Sequence, residues 1–180
     1  MQKLLQVAGM IQIFNRWVGK IAYWLVLIMV AVGGWNVLGR YVGKWISQPL
    51  TSNALIEIQW YLFDLVFLLG AAYTLQKNAH VRVDIIYKNF GEKGRAIANL
   101  IGTLLFLIPF SLMVIYFSWG TIVNSWQILE MSPDPGGLPR YPIKSMIIVS
   151  FALLLLQGFA DTINNLAIIM NLTQPQENHE

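Results

Sequence analysis

Charge is placed so sparsely in this 180-residue chain that its ionisable residues divide most of it into four apolar stretches of roughly bilayer-crossing length. No charge falls between Lys20 and Arg40, and only Asp64 interrupts the run from Glu57 to Lys77. Arg95 to Glu130 encloses a third uncharged stretch, and Lys144 to Asp161 a fourth, which Thr162 to Met170 extends if Asp161 lies near a surface. A hydrocarbon core about 30 Å thick needs roughly 20 apolar residues at a rise of about 1.5 Å each. The pattern predicts an all-α integral membrane protein, one membrane domain with four transmembrane helices at 18–40, 57–77, 96–124 and 145–168.

Composition supports this class over a soluble core. Hydrophobic residues make up 56% of the chain and charged ones 12%, against about 25% charged in typical soluble domains. Four spans leave too few residues for a separate globular head, so any chemistry belongs to the bundle, its short loops or a partner. The chain has no cysteine, which excludes disulfides, thiolate catalysis and cysteine metal sites. Its net charge of +3 comes from basic residues dispersed between spans, a pattern of membrane orientation rather than nucleic-acid binding. Lys3, Arg16 and Lys20 precede span one, and Lys77, Arg82, Lys88, Lys93 and Arg95 lie between spans two and three. The other two loops hold Arg40, Lys44, Arg140 and Lys144. By the positive-inside rule both termini are expected in the cytoplasm.

The segment before Lys20 does not read as a cleaved export signal, because the apolar run after it is long and no small-residue cleavage pattern follows. Leu4, Leu5, Ala8, Ile11 and Val18 recur at helical spacing opposite Gln2, Gln6 and Asn15, with Trp17 where an interfacial aromatic belongs. This predicts an N-terminal interfacial helix on the inner leaflet.

The third run, 96–129, would reach about 50 Å as a single helix. The expectation is a kink at Pro109 together with projection on the outer side, carrying Asn124, Ser125, Trp126 and Glu130 beside the loop 131–142. That loop holds Pro133, Pro135, Pro139 and Pro142 around Gly136 and Gly137, so it is conformationally restricted and suited to docking. The polar tail 173–180 is expected to be disordered.

Searches for catalytic signatures return nothing: no GxGxxG or phosphate loop, no HExxH and no GxSxG. His80 and His179 both fall outside the spans, which disfavours a haem held across a bundle. No cofactor is expected. Asp64 is the most pointed single residue, since an ionisable group at mid-span costs at least about 2.5 to 3.5 kcal/mol. It shares a helical face with Glu57, Tyr61 and Leu68 and lies within reach of a cation snorkelling inward, such as Arg40 or Lys144. It reads either as a proton or cation site or as a polar clasp between helices. Arg40, Glu57, Asn36 and Gln157 are candidates for the same kind of interhelical bonding. After span two, His80-Val81-Arg82-Val83-Asp84-Ile85-Ile86-Tyr87 predicts a short interfacial helix. There His80, Arg82 and Asp84 face lipid headgroups or a partner subunit.

Several pieces together resemble one family. Glu57-Ile58-Gln59-Trp60-Tyr61-Leu62-Phe63, then Leu69-Gly70-Ala71-Ala72-Tyr73-Thr74-Leu75, then His80-Val81-Arg82-Val83-Asp84 resemble the small membrane subunit of tripartite ATP-independent periplasmic (TRAP) transporters. Asn36 to Tyr41, and Gly136-Gly137-Leu138-Pro139 with Lys144 before span four, are also similar, so the resemblance covers nearly the whole chain.

That resemblance implies a division of labour in the inner membrane. A periplasmic substrate-binding protein captures an organic acid and delivers it to a membrane complex. There the large permease subunit carries the substrate and sodium sites and moves as an elevator, while the small subunit packs against its fixed scaffold. On this reading Glu130, Asp134, Arg140 and Lys144 are the candidates for docking the binding protein, and the chain is not an enzyme. Two other classes stay open from the residues alone: a small proton-coupled exporter using Asp64, and the membrane anchor of a respiratory complex.

Overall fold

A computed structural model describes residues 1–79 and 90–171. Among them α1 spans Gln2–Ile46, α2 Asn53–Gln76, α3 Glu92–Gly102, α4 Ile108–Gln127 and α5 Tyr141–Ile169. A π-helical turn, Thr103–Leu107, joins α3 to α4, so Glu92–Gln127 runs on as one helical segment. This segment, α1, α2 and α5 are each long and apolar enough to cross a membrane, which makes the chain an all-α membrane bundle of four spans. The interfacial helix expected around His80, Arg82 and Asp84, and the tail 173–180, lie outside the described residues.

The π-turn has a local cause. Pro109 sits in the first turn of α4, lacks an N–H and would press its ring on the carbonyl four residues back, Leu105. Widening the helix over Thr103–Leu107 relieves both conflicts without ending it.

α5 is the hub of the bundle, packing on α1, α2, α3 and α4, while α1 and α2 also pack on each other. The α1 seam explains its length. Its buried residues Ala8, Asn15, Ala22, Asn36 and Gly43 fall on one seven-residue repeat, joined by Val18, Gly19 and Gly39. A period of seven keeps one narrow stripe against its neighbours along the whole helix. Small side chains on that stripe let partners approach closely: a Cβ on Gly19 would lie 2.5 Å from the Tyr73 ring.

This changes the reading of the N-terminus. The segment before Lys20 is continuous with span one in a single 45-residue helix, about 68 Å long, rather than a separate element. No proline precedes Pro49, and the seam runs through the expected junction without a break. Asn15 points into the bundle at 0% exposure, while Leu4, Met10, Ile13 and Trp17 are exposed.

Asn15 is one end of a buried polar chain. Its side-chain amide donates to Gln157 Oε1 at 2.8 Å, and the Gln157 amide donates to Asp161 Oδ1 at 2.9 Å. Removing one member leaves the other unpaired in an apolar setting, which costs more than removing both. Asn15→Leu and Gln157→Leu are each expected to lower stability in detergent. The double variant should recover part of the loss, with a coupling of about 0.6 to 1.7 kcal/mol in a thermal-unfolding cycle.

Candidate functional site at the loop end of the bundle

The most organised polar region lies where residues 128–140 connect α4 to α5. Proline shapes this loop and also starves it of donors, because each proline removes a backbone N–H. Its own bonds are few: Ser132 N–H donates to Leu138 O at 3.0 Å, Gly137 N–H to Asp134 O at 3.0 Å, and Arg140 N–H to Glu130 O at 2.8 Å. Gly136 makes the turn at φ 71°. α2 supplies further partners.

Asn53, Glu57 and Tyr61 recur every fourth residue, so they line one face of α2. That face binds the loop along its length. The Asn53 amide donates to Pro135 O at 3.0 Å, and the Tyr61 hydroxyl donates to Pro139 O at 3.2 Å. Between them the Glu57 carboxylate, only 3% exposed, accepts on both oxygens: from Leu138 N–H at 2.6 Å and from the Ser132 hydroxyl. Charge-assisted bonds of this kind are stronger than neutral ones. Gly137 lies directly over the pair, where a Cβ would come within 2.8 Å of Glu57 Oε1 and 2.5 Å of Ser132 Cβ.

A second carboxylate ties the loop to α4 and α5. Glu130 accepts from the Ser125 hydroxyl at 2.6 Å and forms an ion pair with the Lys144 ammonium. The Lys144 bond first, and the Ser125 bond second, hold its carboxyl below the usual range. Beside it the Trp126 indole N–H donates to Ser145 Oγ at 2.7 Å, and its ring meets Tyr141 edge-on at 4.6 Å. An apolar groove of about 560 Å³, lined by Trp119, Ile122, Trp126 and Ile148 among others, opens between α4 and α5 at this level.

The sequence candidates therefore separate. Glu57, Glu130, Arg140 and Lys144 gather at the loop end, where Glu130 and Lys144 pair with each other. Asp134 is exposed at the loop tip. Gln157 lies far from them in the Asn15 chain, and Asn36 Oδ1 is buried without a hydrogen-bond partner among the described residues. Arg40 is exposed on α1. Lys144 is engaged by Glu130, and Asp64 has neither a hydrogen bond nor an ion pair among the described residues. His80, Arg82 and Asp84 lie outside the described residues. No group of three or more metal-ligating side chains occurs among the described residues. Sequence reasoning missed Ser132 and Ser125 as partners of the carboxylates, and Asn53 as a partner of the loop backbone. The four-residue spacing from Asn53 through Glu57 to Tyr61 was the available signal.

Such a bundle, apolar over its exposed surface and polar chiefly where its helices and end-loop are bonded together, is a multi-pass membrane protein. A family model described as the DctQ component of tripartite ATP-independent periplasmic transporters matches residues 29–167. The chain belongs to this family of transporter components, which sets it in the inner membrane beside a large permease subunit and a periplasmic substrate-binding protein. The match includes Glu57, Asp64, the loop and Gln157, but begins after Asn15. Comparison with curated proteins and with solved structures returned no match.

Proposed function

We propose that this chain braces the stationary scaffold of the large elevator subunit and presents its clasped loop to the substrate-binding protein during sodium-coupled uptake of an organic acid. The observation that carries the reading is the loop itself: tied to α2 by Glu57 and to α4 and α5 by Glu130, it keeps Asp134 exposed on a surface with little left to order on binding. The distribution of Lys and Arg supports a periplasmic loop end and cytoplasmic termini.

Vesicles holding the large subunit and this chain, supplied with the binding protein, should take up substrate on a sodium gradient. Omitting this chain should abolish uptake, and this chain alone should give none. Robust uptake by this chain alone would establish the exporter class instead. The docking half of the reading has its own test. Asp134 bears charge without bracing α4 or α5, so Asp134→Lys should slow uptake by about threefold to tenfold when binding protein is scarce, and little when it saturates. An unchanged dependence on binding-protein concentration would remove the loop from docking.

A further inference from the structure

α2 carries a face that no other described helix of the chain covers. Trp60, Phe63 and Phe67 are 58%, 58% and 68% exposed, and Asp64, also exposed, sits among them. The carboxylate is about 17 Å from either end of α2, close to the middle of the span. It has no hydrogen bond or ion pair among the described residues, although the two bonded acids at the loop end, Glu57 and Glu130, each hold two partners.

Such a group cannot be left to lipid tails, which offer no donor, and headgroups do not reach that depth. A second copy of this chain answers no better. Gly33 of α1 meets Gln59 and Gly19 meets Tyr73, so the stretch of α1 level with Asp64 is the uncharged run that Lys20 and Arg40 bracket, and the described cations of the other spans, Lys93 and Arg95 on α3 and Lys144 on α5, lie toward the helix ends. Pairing two copies through α2 would instead bring two carboxylates together. A carboxylate at that depth is answered best by a different polypeptide that supplies a mid-membrane cation. The aromatic rings around Asp64 suit the same choice, since a guanidinium or ammonium also binds ring faces.

We infer that the Trp60–Phe63–Asp64–Phe67 face of α2 is the surface on which the large permease subunit seats a transmembrane helix, with a basic side chain of that helix paired to Asp64. This rests on the reading of the chain as a permease subunit, and it names the face and the chemistry of the contact. Asp64 is then an intersubunit clasp. A polar interaction is worth most there because both of its members would otherwise be stranded in hydrocarbon.

The test uses the intact complex of full-length subunits. Benzoylphenylalanine placed at Phe63 or Phe67 should photocrosslink to the large subunit, whereas at Phe117, exposed on α4, it should give at least about fivefold less of that adduct. Asp64→Lys should reduce co-purification of the large subunit by about tenfold or more, and Asp64→Asn less, since an amide can still accept a hydrogen bond. The photocrosslinks do not depend on whether the charge variants fold. Adducts only to lipid or to a second copy, in a complex that retains the large subunit, would overturn the inference while leaving the proposed function standing. Failure of the unaltered chain to retain the large subunit at all would overturn both. Full assembly of Asp64→Lys with loss of sodium coupling would make Asp64 an ion site rather than a clasp.

Discussion

Glu57→Leu should release the loop from α2. Loss of the carboxylate removes acceptors from Leu138 N–H and the Ser132 hydroxyl together, in a place where only 3% of the residue is exposed to any replacement partner. Buried donors stranded in this way carry the full desolvation penalty, which exceeds the net value of the bonds themselves. Glu57→Gln keeps the shape and one acceptor, so it should be intermediate. Limited proteolysis within residues 128–140 reads the effect directly: cleavage should rise at least about tenfold for the leucine variant, because opening of the loop becomes the governing equilibrium. Uptake that depends on the binding protein should fall with it, while the large subunit should still co-purify through the α2 face around Asp64. A loop that stays resistant in Glu57→Leu would mean that Glu130, Asn53 and Tyr61 suffice.

Gly43→Ala is expected to be the most damaging single methyl addition on α1. The new Cβ would lie 2.5 Å from Gln48 O and 3.3 Å from Leu50 N, and both are backbone atoms that move only if the corner between α1 and α2 moves. α1 closes there through Ser47 in the left-handed region, with Gln48 N–H donating to Gly43 O at 3.0 Å. Overpacking of this kind costs about 2 kcal/mol. Gly34, where an added Cβ would meet nothing within 4 Å, supplies the control: Gly34→Ala should be neutral or slightly stabilising through helix propensity. Thermal unfolding of both variants in the same detergent distinguishes them, and equal midpoints would show that the corner yields.

Charge spacing and hydropathy are enough to read four spans, because solvation by lipid acts on every residue of a span at once and leaves a long signal. They do not reveal that α1 is a single helix. The stripe Ala8, Asn15, Ala22, Asn36, Gly43 becomes meaningful only once α2 and α5 are there to bury it, and taken alone its polar members suggest an interfacial face. Pro109 is legible as a disturbance, but the widening of the helix over Thr103–Leu107 just before it is not. At the site, Glu57 and Asp64 look equivalent in sequence, seven residues apart on one face. What separates them is the loop: Ser132 and Leu138 bond to Glu57, and such contacts across some 80 positions of chain leave no local pattern.

The central position of α5 also sets an order of assembly. During synthesis α1 and α2 can pair as soon as both are inserted, but α4 packs on α5 and not appreciably on either of them. It must wait in the bilayer without a helical neighbour from α1 or α2 until α5 arrives. Until then Ser150 has not reached the Leu68 carbonyl, Gln157 has not met Asn15, and Glu130 has no Lys144 to hold. A ribosome that stalls before Tyr141 therefore leaves a hairpin and a separate helix with unanswered polar groups. Assembly of this four-helix bundle therefore waits on α5.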